Sequence, residues 1–448
     1  MTLQSTYCGH EIVAGAVVSD KARLEKTTMN RKNFLLIVCC LNAPLQITYG
    51  QIIATEKVQL SSACPSAQEL AVLTGSSVPA LLGTPVQQIS LLNYSQGHLS
   101  PLSFQIDQKD LQGRYQIEGT PPGGPQSRSA ALDENDELVF RIADSGNRLP
   151  GTSELVRRYS LVELQVTHPK SGISGWIYAS ISSQHGPVSS GNIIRYLPDT
   201  DSVRSGLYHI GFSEQLPFLV DTFHWKLDGN HAWSPDISDT MKIRHRGTFL
   251  GFIPFQRTQS DYSSRLVSVK EGPLRIIRRT SNRIRMLWKL KTPTLYVDYV
   301  MMPDGFVMDT IIDIPFNIGL FFSNVETLTT MDWNDAPELP KLTIHSPDGV
   351  TELAVDGRMS ADKQAFNTAN TRHFSVSSSF GDMFVSLDIP DDFPIQPWLY
   401  LRDDIEEADS PENHAGQFGN VGFRTTEWER IDTKVQHLTF TICMSAAS

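Results

Sequence analysis

An all-β fold, built as a large antiparallel β-sandwich, is predicted by three features of the sequence. Strand-sized apolar segments recur along most of the chain, separated by short loops rich in Gly, Pro, Asp and Asn. Several of these segments alternate apolar and polar residues, a period of two that sends neighbouring side chains to opposite sheet faces. Long 3.6-residue patterns and a regular strand–helix alternation are scarce, which argues against a doubly wound α/β sheet or a TIM barrel. A chain of 448 residues is long enough for one large β domain or two ordinary ones.

The N-terminus reads as a composite. Residues 1–28 contain Asp20, Arg23, Glu25 and Lys26 and no comparable hydrophobic block, and fit an extension from an upstream start codon, with the working start at Met29. Residues 29–50 read as a signal peptide: Arg31 and Lys32 precede the apolar run FLLIVCCL at 34–41, and Ala43 or Gly50 marks the region of cleavage. The run is too short for a membrane span, so the mature chain is expected to carry no transmembrane segment and to be periplasmic or secreted. Removal of the signal leaves Cys64 and Cys443 as the cysteines of the mature chain. An even pair in an oxidising compartment predicts a Cys64–Cys443 disulfide.

Residues 51–118 form an N-terminal segment or subdomain, in which SAQELAVLTG (66–75) reads as a short helix ending near Gly75. The Pro- and Gly-rich stretch GTPPGGPQSRSA at 119–130 reads as a linker or loop. Residues 131–448 form the main β region. Its strand-sized segments include ELVFRIA (137–143), LVELQVTH (161–168), GWIYASI (175–181), TMKIRHRGTFLGFI (240–253), TLYVDYVM (294–301), FVMDTIIDI (306–314), DMFVSLDI (382–389) and QHLTFTICM (436–444).

Net charge of −11 disfavours a nucleic-acid binder, although seven Lys and Arg crowd the 17 residues from Arg275 to Lys291. Period two divides that run between two sheet faces. In TLYVDYV, Leu295, Val297 and Tyr299 alternate with Tyr296, Asp298 and Val300. The basic residues are therefore expected on a solvated sheet face, some of them paired with Asp298, Asp304 or Asp309 on adjacent strands.

The stretch GPLRIIRRTSNRIRMLWKLKTPTLYVDYVM resembles the sheet pattern of galactose-mutarotase-like supersandwich domains. Gly272, Pro273 and Arg275, followed by Asp298 and Tyr299, carry the likeness. The resemblance implies a supersandwich-like fold among exported sugar-active proteins. That family includes epimerases and non-catalytic domains of lyases and hydrolases, so it implies no single reaction. ALDENDELVFRIADSGNRLPG and ENHAGQFGNVGFRTTEWERI resemble an exported bacterial family and imply no activity.

No HExxH, P-loop, dinucleotide fingerprint or Gly-x-Ser-x-Gly elbow occurs in a suitable context. The richest polar cluster is FHWKLDGNHAWSPDISD (223–239), read as a loop. His224 and His231 are candidate proton shuttles, with Asp228 to orient them. Trp225 and Trp233 are candidate stacking platforms for a sugar ring, and Arg275 and Arg279 candidate holders of an acidic substrate group. No cofactor is expected. Calcium is the metal to consider: LRDDIEEADSPENHAGQFGN (401–420) offers Asp403, Asp404, Glu407 and Asp409 as oxygen ligands, in an acidic loop with a helical turn at 403–408.

These features together predict an exported protein that binds a carbohydrate or another envelope polymer, with isomerase- or lyase-like activity as its enzymatic form. The alternative is a non-catalytic envelope or assembly component that docks a protein partner.

Overall fold

A computed structural model describes residues 51–58, 70–117, 130–167, 172, 174–181, 191–227, 232–287, 290–313, 316–336, 338–347, 351–408, 415–431 and 435–447. All lie in the second of the two units into which the chain divides, Tyr49–Ser448. Residues 29–50, read as a signal peptide, residues 1–28, read as an extension, and most of the 119–130 stretch lie outside the described residues.

The N-terminal strands are β1 (Ile52–Val58), β2 (Leu70–Thr74), β3 (Ile89–Ser95), β4 (His98–Pro101), β5 (Phe104–Asp107), β6 (Glu137–Arg141), β7 (Leu161–Thr167) and β8 (Ser174–Ile181). They make a five-stranded sheet in the order β1-β7-β8-β3-β4 and a three-stranded sheet in the order β2-β6-β5. β1 runs parallel to β7, whereas the other pairings of these two sheets are antiparallel. Leu73, Leu138 and Phe140 from the smaller sheet pack against Val162, Leu164 and Ile177 from the larger one. Each such side chain contributes roughly 1.5–3 kcal/mol when fully buried.

Four short strands follow: β9 (Arg195–Leu197), β10 (Ser202–Arg204), β11 (Tyr208–Phe212) and β12 (Val220–Trp225). They pair in the order β12-β11-β10-β9. Their apolar face, including Val203, Tyr208, Ile210 and Phe223, belongs to the main core.

The main sandwich uses β13 (Ser238–Phe249), β14 (Ile253–Arg257), β15 (Tyr262–Glu271), β16 (Ile276–Leu287), β17 (Leu290–Lys291), β18 (Leu295–Met302), β19 (Gly305–Ile312) and β20 (Phe322–Trp333). It continues with β21 (Thr343–His345), β22 (Glu352–Ala354), β23 (His373–Ser378), β24 (Gly381–Asp388), β25 (Gln396–Ala408), β26 (Ala415–Thr426) and β27 (Gln436–Ala446). A ten-stranded sheet runs β15-β16-β18-β19-β27-β24-β23-β21-β22, with β17 paired to the end of β16. A five-stranded sheet, β14-β13-β20-β26-β25, faces it. Val297, Tyr299, Met308, Val385 and Phe440 from the long sheet share one core with Met241, Leu399 and Phe423 from the other. Among the described residues helix is confined to short pieces such as α1 (Glu154–Arg158) and α2 (Ala361–Phe366), so the all-β class holds.

The long sheet is also covered on part of its outer face. Ile277 and Val300 lie under Tyr115 and Ile117, and Leu274 and Met302 lie under Leu70 and Val139. The three-stranded sheet is thus buried on both faces, which explains why Leu138, Val139 and Phe140 are consecutive apolar residues rather than an alternating set.

On either side of residues 119–130, β5 and β6 pair in the three-stranded sheet. Three expectations change. Leu70–Thr74 is a strand paired with β6, not helix; Gly75 lies so close to the Asp133 carbonyl that an added Cβ would sit 1.8 Å from its oxygen. Residues 403–408 belong to β25, not to a helical turn. The basic run is only partly a solvated face: Arg283, Arg285 and Lys291 are exposed and Arg279 pairs with Asp298 as expected, but Arg275, Arg278 and Arg279 are buried, because β9–β12 and the N-terminal sheets cover the two faces of β16.

Candidate functional site

Where the N-terminal cover ends, the outer face of the long sheet forms a cleft of about 650 Å³. Period two places its floor: on β19, Phe306 and Met308 enter the core while Val307 and Asp309 face the cleft. On β27, Leu438 and Phe440 enter the core while Thr439 and Thr441 face the cleft. β24 adds Phe384, Ser386 and Asp388, β23 adds His373, and the residue before it adds Arg372. The His373 and Phe384 rings lie 5.8 Å apart. Lys109, Tyr115, Glu137 and Arg275 form the wall beside the N-terminal sheets.

That wall is a closed charge network. The Arg275 guanidinium bridges Asp107 and Glu137, and Lys270 and Lys109 add a second cation to each carboxylate. Gln105 donates through Nε2 to both Asp107 oxygens, at 2.9 and 2.8 Å, and accepts from the Arg275 amide at 3.2 Å. An added Cβ at Gly272 would meet Gln105 Oε1 at 2.0 Å, so a larger residue there would push the Gln105 amide out of this arrangement. Burial works against the charged Asp107 and Glu137, but Arg275 with Lys270, and Arg275 with Lys109, hold both carboxyls below their usual range. The Tyr115 hydroxyl donates to Glu137 Oε2 at 3.0 Å, and burial drives its proton affinity well above that of a free phenol.

A second polar link crosses the edge of the cleft. His437 Nδ1 is 2.7 Å from Asp309 Oδ2, and His437 Nε2 is 2.8 Å from the Gln112 carbonyl oxygen. Both oxygens are acceptors, so the imidazole donates twice and is cationic in this arrangement. The Asp309 hydrogen bond raises the His437 pKa, against the opposing effect of burial.

The residues singled out in the sequence are dispersed. His224 lies on strand β12 rather than in a loop, opposite His209 on β11, and the two rings stack at 5.6 Å. His224 Nδ1 donates to the Ser234 carbonyl at 2.9 Å. Trp233 meets His209 edge-on at 5.8 Å, and Arg204 and Lys226 lie over its ring. Burial, then the Arg204 and His224 charges, lower the His209 pKa to about 4. The sequence reading missed His209, whose partner is set by the β11–β12 register.

Trp225, next to His224, points to the opposite face and is 3% exposed, packed on Phe223 in the core. It has no open face for a sugar ring. Asp228 and His231 lie outside the described residues. Arg275 lines the cleft, but its guanidinium is held by Asp107 and Glu137. Arg279 is buried, paired with Asp298 at 2.6 Å, and donates to the Tyr115 carbonyl at 2.9 Å.

Asp403 is fully buried and accepts from the amides of Asp356, Gly357 and Gly419 and from Lys363 on α2. Asp404 pairs with Arg402. Glu407 falls within β25, and Asp409 lies outside the described residues. Among the described residues no group of three or more His, Cys, Asp or Glu could hold a metal ion. Cys443 is buried on β27. Cys64 lies outside the described residues, so no disulfide joins two described cysteines.

Fold and cleft together define a multi-sheet β-sandwich protein with a charged and partly apolar cleft on one sheet face. No protein-family model and no curated protein matches the chain. Among solved structures, an α-mannosidase from Enterococcus faecalis V583 aligns over 85% of this chain and 42% of its own, with TM-score 0.43 and 8% identity. A protein in the glycosyl hydrolase family 38 from Enterococcus faecalis aligns over 89% and 43%, with TM-score 0.40 and 7% identity. The likeness is weak, and the chain spans less than half the length of either protein. Among the described residues no helix is long and apolar enough to cross a membrane.

Proposed function

We propose that this is an exported protein that binds a carbohydrate or another envelope polymer in the cleft on its long sheet. The cleft's lining is the observation that carries this reading. Thr439, Thr441 and Ser386 can exchange hydrogen bonds with hydroxyls, Asp388 and Arg372 add charged groups, and Phe384 offers an apolar ring surface. Export rests on the basic and apolar segments at 29–50.

Binding is favoured over turnover. General acid–base catalysis needs titratable groups whose proton affinities are set apart around the working pH. Here Glu137 is neutralised by two cations, and both ring nitrogens of His437 are engaged. An isomerase- or lyase-like reaction would draw on His373, Asp304 or Asp388 in the cleft, or on His224 stacked against His209.

Calorimetric titration of the purified chain with neutral and uronate-containing oligosaccharides tests the proposal. Asp388→Asn and Thr439→Val should each weaken binding about tenfold. Wild-type binding that both variants retain would place the ligand elsewhere. Absence of binding across the panel would favour the protein-docking alternative, and product formation lost in His373→Ala would favour an enzyme.

A further inference from the structure

The end of the sandwich formed by the β13–β14 hairpin concentrates exposed apolar side chains. Leu250, Phe252 and Ile253 are 51%, 76% and 39% exposed, and Leu320 and Phe321, in the turn before β20, are 71% and 43% exposed. The two turns adjoin: the Leu250 amide donates to the Phe321 carbonyl at 2.8 Å, and Phe249 pairs with Phe322 across β13 and β20. The apolar character continues inward. The Phe322 ring lies 5.1 Å from Phe249 and 5.0 Å from Phe255. Phe255, Phe316, Ile318 and Phe322 line a cavity of about 160 Å³ between the sheets.

The hairpin tip is unfavourable as a water-facing turn. Leu250 has φ of 51° and Gly251 of 79°. Asn would meet that conformation at less cost than Leu, whose Cβ crowds the backbone there. Leucine at this point incurs both backbone strain and exposure of apolar surface, and strain of this kind points to function.

Cations flank the same end. Arg257, at the other end of β14, donates to the carbonyls of Arg285 and Met286. It thereby holds the β16–β17 end alongside, with exposed Leu290 and Lys291 and, further along β16, exposed Arg283. β14 has five residues, so this collar lies about 13 Å from Ile253 at roughly 3.3 Å per residue.

We propose that this end of the molecule docks on a lipid bilayer, with the Leu250–Ile253 and Leu320–Phe321 tips entering the acyl boundary and Arg283 and Lys291 facing headgroup phosphates. Protruding turns with an apolar tip and a basic collar fit interfacial insertion. A flat protein contact would instead need about 800 Å² on each partner. The overall charge of −11 opposes an anionic surface, so the apolar tips lead the binding and the collar adds preference.

Flotation of the chain with phosphatidylcholine vesicles, with and without phosphatidylglycerol, tests this. Wild type is expected to float with both, more with the anionic mixture. Phe252→Ser/Leu320→Ser should lower partitioning about tenfold or more while leaving the thermal midpoint unchanged, because both side chains are exposed. Wild type left in the soluble fraction with both vesicle types would overturn the proposal, as would a variant that floats like wild type. Light scattering that shows wild-type self-association, abolished by the same substitutions without vesicles, would reassign the patch to a contact between copies of the chain.

Discussion

His437 and Asp309 lie 2.7 Å apart on neighbouring strands of the long sheet, and through Gln112 the same imidazole reaches the loop of the N-terminal cover. One side chain thus ties the floor of the cleft to its wall.

This link sets a pH dependence. Its hydrogen bond to Asp309 raises the folded-state His437 pKa above its ordinary value of 6.5. The stabilisation is therefore full below the unfolded-state pKa and is lost as pH rises through the folded-state value. Thermal midpoints of wild type and His437→Gln should differ most at about pH 6 and converge as the pH rises through the raised folded-state pKa. A gap that widens with rising pH would contradict the cationic link.

Arg275 is expected to dominate the stability of the cleft wall. Arg275→Met leaves Asp107 fully buried with fewer cations and should cost about 3–5 kcal/mol in urea unfolding. Arg275→Lys should rescue only part, because an ammonium cannot reproduce the guanidinium fork to two carboxylates. A loss below about 1 kcal/mol in Arg275→Met would show that Lys270 and Gln105 suffice.

The Asp403 cluster is expected to behave as structure rather than as a calcium site. Its carboxylate already accepts from three backbone amides and Lys363. Asp403→Asn should destabilise by about 2–4 kcal/mol, and chelator or millimolar calcium should leave the thermal midpoint unmoved. A rise in midpoint with calcium, absent in Asp403→Asn, would restore the metal reading.

Leu250→Asn separates stability from lipid docking. Asparagine tolerates the left-handed turn, so the variant should be more stable by about 0.5–1 kcal/mol. It should also bind vesicles less well than wild type. A destabilised variant would show that Leu250 is held by packing in water.

Much of the β architecture was legible because backbone periodicity is local. TLYVDYV reads correctly as a strand with Val297 and Tyr299 on one face and Asp298 and Val300 on the other. SAQELAVLTG misled because its apolar spacing also suits a helix; pairing of Leu70–Thr74 with β6 decided the matter. His224 and Trp233 stood out by composition, and their companion His209 became visible only through strand register. Asp309 and His437 are 128 positions apart, with nothing in either local pattern to join them.

The sequence by itself determined the all-β class, most strand positions, the alternation of faces and the chemical character of the turns, all consequences of neighbours a few residues apart. Only the tertiary structure decided that Arg275 is buried between Asp107 and Glu137, that Trp225 turns inward, and that the outer face of the long sheet carries both a cover and a cleft. Those outcomes depend on which sheets stack and in what register. Charge pairing and burial arise between residues more than a hundred positions apart, and a side chain's local pattern carries no record of what will lie above it.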